Sequence, residues 1–267
     1  MKLARPLSLA IAACCGLWLA SQAVMAAPAR QNPVIIAQAD SAAGGLSREE
    51  VTKRLDAVPV FAIVSTDGTP ILATVDREGE QVQIANFWLD PTEAVKTIDQ
   101  IKSRTPDIGA QARVVPLSLG YAFTVAEEQK GKDDDLVFQV LPKVSVVSEA
   151  LTMVKEEAGQ EDVTEFPGVP LFYGESDEGV LTVESNGSEV VPFFFDRSDL
   201  KAALDNASQA NPGVTEKTTI EVTTLEQVVS SMLDPSSEQS VAKIAFVPSR
   251  TALESVPEFA ENAPAGQ

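Results

Sequence analysis

The chain has 267 residues, with 39 Asp and Glu against 20 Lys and Arg, no His and two Cys. Cys14 and Cys15 fall in the first 26 residues with Lys2 and Arg5, so the other 241 residues carry 18 basic and 39 acidic groups, a formal charge of −21 without His or Cys. That composition excludes a Ser-His-Asp triad, a thiol nucleophile, an imidazole or thiolate metal site and a disulfide there, and it opposes binding to a phosphate backbone.

Residues 1–26 read as a cleavable signal peptide: a basic start with Lys2 and Arg5, an apolar run from Leu7 to Ala20, and Val24-Met25-Ala26 as the cleavage site. A retained anchor is the competing reading, but Ser21 and Gln22 interrupt the run. Lipidation at Cys14 ranks below simple cleavage, because Leu17 to Ala20 would then follow the anchor. Residues 27–45 have the Ala, Gln, Pro and Gly content of a flexible leader. No later stretch is apolar for long enough to span a bilayer, so no stable membrane span is expected after signal cleavage.

The rest of the chain reads as one unit written twice, residues 46–160 and 161–248. Val58-Pro59-Val60-Phe61 returns as Val169-Pro170-Leu171-Phe172, an offset of 111. Phe87-Trp88-Leu89-Asp90 meets Phe193-Phe194-Phe195-Asp196 at an offset of 106, and Pro106, Leu119 and Pro142 meet Pro212, Leu225 and Pro248 at the same offset. One five-residue difference at a hairpin turn accounts for the change. The tight Asn186-Gly187 pair replaces the longer turn Asp76-Arg77-Glu78-Gly79.

In chain order, Ser47-Arg48-Glu49-Glu50 is a capping box for a short helix ending near Leu55. Each half then predicts three strands, Val58 to Ser65, Ile71 to Val75 and Val82 to Leu89, matched by Val169 to Gly174, Val180 to Ser185 and Glu189 to Phe195. Asp90-Pro91-Thr92-Glu93 supplies a capping Asp and a Pro at the first helical position, and Asp196 and Asp199 play the matching roles. Pro106 and Pro212 are expected to end these helices. A strand follows, Arg113 to Leu117 or Thr218 to Val222. Next come a helix capped by Ser118 or Thr224 and a last strand, Leu136 to Leu141 or Val241 to Val247. Ser148 to Gly159 predicts a helix between the halves, and the acidic, Ala- and Pro-rich residues 249–267 are expected to be a flexible tail. The expected fold class is α/β in the mixed α+β sense, two duplicated β-β-β-α-β-α-β halves in a pseudo-two-fold relation.

Leu55-Asp56-Ala57-Val58-Pro59-Val60-Phe61-Ala62-Ile63, then Gly68-Thr69-Pro70-Ile71-Leu72, resembles the opening of the twenty-two-kilodalton Tic family, soluble components of the chloroplast inner-envelope import translocon and their cyanobacterial relatives. Phe87-Trp88, Glu93-Ala94 and Val114-Val115-Pro116-Leu117-Ser118-Leu119 continue the likeness, which covers most of residues 46 to 248. With a bacterial-type signal, the chain looks like a cyanobacterial relative. The resemblance implies a protein of the periplasm or thylakoid lumen, with a chaperone-like role in delivering precursors and outer-membrane proteins. It implies no catalytic residues and a functional surface of apolar grooves. Its implied partners are unfolded or precursor proteins and components of the outer-membrane translocon.

Seven aromatics, Phe61, Phe87, Trp88, Phe172, Phe193, Phe194 and Phe195, lie on the predicted strands and are assigned to the core, since large apolar residues are mostly inside. The helices after Ser118 and Thr224 are apolar on more than one face. Tyr121, Phe123 and Val125 on the first, and Val228, Met232 and Leu233 on the second, are the candidate client-binding surface, with core packing as the competing and commoner role. The run Asp133-Asp134-Asp135 lacks the oxygen spacing and Gly of a calcium loop and reads as a solvated turn. No metal, cofactor or catalytic residue is expected. A holdase or transport factor is the leading reading. A hydrolase using paired carboxylates and a structural scaffold of an envelope assembly are the alternatives.

Overall fold

The computed structural model describes residues 44–261 apart from 78, 133–135, 159–162, 186 and 211–212. The residues read as a signal peptide, almost all of those read as a leader, the Asp133 run, Asn186 and Pro212 therefore lie outside the described residues.

Alternating apolar residues set the first sheet. In β1 (Pro59–Val64), Val60, Ala62 and Val64 face one core cluster while Phe61 and Ile63 face another, so the strand is buried on both sides. It pairs antiparallel with β4 (Arg113–Ser118), from Pro59↔Ser118 to Val64↔Arg113, and meets β3 (Glu80–Trp88) at Phe61↔Trp88. β3 also pairs with β2 (Ala73–Arg77) as a hairpin and runs parallel to β5 (Leu136–Leu141). At the hairpin turn Gly79 has φ 91° and donates its N–H to Asp76 Oδ1 at 3.0 Å.

The second sheet repeats this wiring. β6 (Pro170–Ser176) pairs antiparallel with β10 (Thr219–Thr224) and meets β9 (Ser188–Phe194) at Phe172↔Phe194. β9 runs parallel to β11 (Ile244–Val247), while the short β7 (Gly179–Val180) and β8 (Val183–Ser185) flank the hairpin. The registers obey the sequence offsets: Pro59↔Ser118 becomes Pro170↔Thr224, and Trp88↔Leu141 becomes Phe194↔Val247.

The helices are started by local chemistry. Ser47 and Glu50 complete a capping box on α1 (Arg48–Leu55). Asp90 caps α2 (Pro91–Arg104) by accepting from Thr92 N at 2.8 Å. The chain continues through α3 (Pro106–Gly109), α4 (Leu119–Gln129) and α5 (Val144–Ala158). The second half holds α6 (Arg197–Ala210), α7 (Val214–Lys217), α8 (Leu225–Leu233) and α9 (Arg250–Ala260). Ser118 and Thr224 cap α4 and α8 through Tyr121 N and Gln227 N.

Three clusters make the core. The central one joins one face of each sheet to α1, α4 and α8, with Val51, Leu55, Phe87, Leu171, Phe193 and Met232 among its members. The opposite face of the first sheet, with Phe61, Trp88 and Val114, is covered by α2 and α9. The opposite face of the second, with Phe172 and Phe194, is covered by α5 and α6. The helix that follows each half's last strand thus crosses to the other half's sheet.

The structure departs from the sequence expectations in several places. The composition of residues 249–267 predicts a flexible tail, but Arg250–Ala260 forms α9, because Ala252, Val256 and Phe259 find apolar surface on the first sheet. Pro106 starts α3 rather than only ending α2, its missing N–H costing nothing at a helix start. The second strand begins at Ala73, and the last strand begins at Ile244, after a 3-10 turn over Gln239–Lys243.

Candidate functional site

The six candidate groove residues separate by burial. Tyr121 is 54% exposed on α4, while Phe123, Val125 and Leu233 are half-buried. Val228 and Met232 do not belong to any exposed surface: they are 6% and 0% exposed in the central core, beneath α1 and against the second sheet's face. The structure therefore divides the two helices, keeping an accessible apolar face on α4 and none of comparable exposure at those positions of α8. All seven strand aromatics, Phe61, Phe87, Trp88, Phe172, Phe193, Phe194 and Phe195, are buried.

Between α4 and α1 lies a groove of about 420 Å³ that Tyr121 does not line; Phe123 and Thr124 of α4 and Thr52 and Lys53 of α1 are among its walls, with charged residues around them. α1 sits close because position 120 is Gly. A Cβ there would lie 2.6 Å from the Thr52 carbonyl oxygen and would collide with the Asp56 carboxylate. Arg48 of α1 pairs with Glu127 of α4 across the groove. Arg54 fixes the other side of α1 by donating to the carbonyls of Ala242, at 2.7 Å, and Ile244. Burial lowers the Arg54 pKa, with Glu50 opposing the shift.

Asp56 is shared with a second groove of about 390 Å³, whose other walls are Pro59, Pro116 and Leu117 and, from α9, Leu253 and Val256. The Ser118 hydroxyl donates to Asp56 Oδ1 at 2.8 Å while accepting from Tyr121 N at 3.0 Å, so the same residue that caps α4 holds the partition between the grooves. A third groove, about 350 Å³, lies under α2 and α3 and is lined by Ile71, Leu72, Trp88, Ile101 and the 49%-exposed Ile108. The side-chain oxygen of Asn86 on its wall is buried without a hydrogen-bond partner. Sequence reasoning missed this groove. Its only local signal is Ile108, an apolar residue on the single turn after Pro106.

Asp90 and Asp196 line one small space of about 20 Å³, enough for a single water and for no sugar ring. Both are engaged as helix caps: Asp196 accepts from Ser198 N at 2.8 Å, and Asp90, 4% exposed, also lies 3.5 Å from Lys143 Nζ. A separate acidic group forms where Glu221 faces Tyr173 across β6 and β10. Burial, then Glu157 and Glu175, raises the Glu221 pKa; burial, then Glu175, Glu221 and Glu157, pushes Tyr173 up to about 12. Among the described residues no group of three or more His, Cys, Asp or Glu is arranged to hold a metal ion, and no helix is long and apolar enough to cross a membrane.

Two sheets of matched register, wrapped by exchanged helices and grooved on their apolar margins, define a mixed α/β fold that other proteins share. Solved structures of Tic22 from Anabaena, described as a protein of protein transport, and of Tic22 from Plasmodium falciparum superpose with TM-scores of 0.66 and 0.64. Their sequence identities are 22% and 20%; the alignments cover 83% and 80% of this chain and 100% and 99% of theirs. The model of the Tic22-like family matches residues 6–256, and the chain belongs to that family. A curated Arabidopsis thaliana relative, a chloroplastic TIC 22-like protein, is 27% identical over 209 residues, which is 76% of this chain. The matched part spans about 62% of that relative's length.

Proposed function

We propose that this chain is a non-enzymatic protein-transport factor of the periplasm or thylakoid lumen that holds apolar segments of unfolded precursors, outer-membrane proteins among them, during delivery. Two separate observations on α4 carry the reading: Tyr121 is 54% exposed to solvent, and Phe123, on another side of the same helix, lines the groove against α1. The groove's lining is acidic on balance, with Glu49, Asp56, Glu127 and Glu128 against Arg48 and Lys53, which suits client segments that flank their apolar residues with Lys or Arg. The formal charge of −21 on residues 27–267 keeps a protein with exposed apolar grooves soluble, and repels anionic membrane surfaces. Membership of a family whose relatives are named for protein transport supports the same reading.

The test is suppression of aggregation of a urea-unfolded outer-membrane β-barrel protein by the mature chain, repeated with Tyr121→Asp and Phe123→Asp. Protection by the wild type that falls in both variants, with unchanged circular dichroism, is the expected result. A wild type that neither protects nor binds the unfolded chain would sink the holdase reading and leave a scaffold role that engages folded partners.

A further inference from the structure

α5 and α9 occupy matching places, each covering the sheet of the opposite half, yet they are not equally well held. α5 runs 15 residues without a break and buries Val146 and Ala150 against Phe172 and Phe194, with Met153 packed beside them. α9 has 11 residues and a single buried one, Ala252. Its first turn is well tied. Ser249 Oγ accepts from Ala252 N at 3.2 Å, Arg250 N donates to Asp199 Oδ2 at 2.8 Å, and the Arg250 guanidinium lies 3.5 Å from Asp199 Oδ1. Beyond that turn the helix is interrupted by Pro257. Proline has no N–H to give the Leu253 carbonyl and its ring crowds that carbonyl, so the helix weakens where its hold on the sheet is thinnest. Leu253 is 49% exposed, Val256 is half-buried, and the last turn is held by Phe259, whose ring meets Phe61 edge to face at 5.6 Å. Beneath lie Phe61 and Val114, 0% and 3% exposed, on a face that α9 shares with α2, and beside them the groove walled by Pro59, Pro116 and Leu117.

We propose that α9 is a detachable strap. Pivoting on the first turn held by Asp199, its Leu253-to-Ala260 part lifts from the first sheet while α2 and the rest of the fold stay in place, and the part of the face that α9 covers, around Phe61 and Val114, merges with the adjoining groove. The use of that face for apolar client segments rests on the transport reading above. The strap keeps it covered until a client competes for it, and the α5 side of the molecule has no equivalent.

The test exploits the absence of cysteine after residue 15. Val114→Cys places a thiol on the sheet face under α9, and Ala150→Cys places one on the buried side of α5, each in the mature chain. Reaction with a thiol reagent in native buffer is expected to be about tenfold or more faster at Val114→Cys, with a shallow urea dependence typical of local opening. Adding Pro257→Ala, which restores the missing N–H, should slow that reaction about tenfold and leave Ala150→Cys unchanged. Equal rates at the two thiols, both with the steep urea dependence of global unfolding, would overturn the proposal, as would a Pro257→Ala variant that reacts as fast as its parent. These measurements contain no client, so they are independent of the transport reading. A second arm adds urea-unfolded outer-membrane β-barrel protein, and protection of the Val114→Cys thiol is expected. Binding of that chain without protection would remove the client role of the uncovered face.

Discussion

The rings of Phe61 and Phe259 meet at 5.6 Å and an interplanar angle of 72°, joining the first strand of the first sheet to the last described helix. The edge-to-face geometry places the positive rim of one ring on the negative face of the other. Phe61→Ala should cost about 3–5 kcal/mol, because the residue is fully buried. Phe259→Ala should cost about 1–2 kcal/mol, because its ring is only partly buried. A double-mutant cycle from urea denaturation should give a coupling of about 0.5–1.5 kcal/mol. Strict additivity would show that the contact contributes nothing beyond burial.

Gly120 controls the width of the α1–α4 groove. Gly120→Val has no space for its branched side chain beside the Thr52 carbonyl and the Asp56 carboxylate. It should destabilise by about 1–3 kcal/mol through overpacking and push α1 away from α4. A Cβ at Gly79 would meet nothing within 4 Å, so Gly79→Asn, which tolerates positive φ, serves as a near-neutral control. Thermal melts of the two variants check this, and equal losses would contradict it.

Glu221 gives a pH signature of defined sign. Burial, Glu157 and Glu175 hold its folded pKa above the ordinary 4.5, so the folded state binds the proton more tightly than the unfolded chain. Its stabilising contribution is present below pH 4.5 and is lost as pH rises through the raised folded value. Glu221→Gln should therefore raise the melting temperature at pH 7, with the gain disappearing toward pH 4.

Tyr173 acts in the same direction at alkaline pH. With its pKa pushed from 10.0 to about 12, stability should fall as pH rises from 10 toward 12. Tyr173→Phe should lose that part of the alkaline dependence. Spectrophotometric titration of the phenol, set against denaturation at matched pH, checks both statements.

The whole-molecule charge makes a separate claim. With −21 on residues 27–267, self-repulsion should lower stability at very low ionic strength. Raising NaCl from about 0.01 M to about 0.15 M shortens the screening length and should raise the melting temperature. A fall over that range would show that local ion pairs such as Arg48–Glu127 outweigh the net repulsion.

Local elements were legible where local chemistry sets them. Asp90, Ser118 and Thr224 cap helices because a short oxygen-bearing side chain reaches the N–H groups two or three residues on, and those positions are adjacent in sequence. The aromatics at the ends of β3 and β9 are assignable to the core from their size alone, and Phe87, Trp88, Phe193 and Phe194 are buried there. The candidate site was only half legible. Tyr121 and Val125, like Val228 and Met232, are apolar residues four apart on a helix, but α1 and the second sheet's core close over Val228 and Met232 and leave Tyr121 open. Which face of an apolar helix is covered depends on elements far away in sequence.

By itself, the sequence determined the mixed α/β class, the matched strand order of the two halves, the helix starts and the negative charge, because these follow from period, caps and composition. Tertiary structure decided that the helix after each half covers the opposite sheet and that a Pro-containing acidic tail folds as α9. Neither follows from local propensity. A helix with Pro257 and one buried residue forms because the first sheet presents apolar surface that α2 covers only in part.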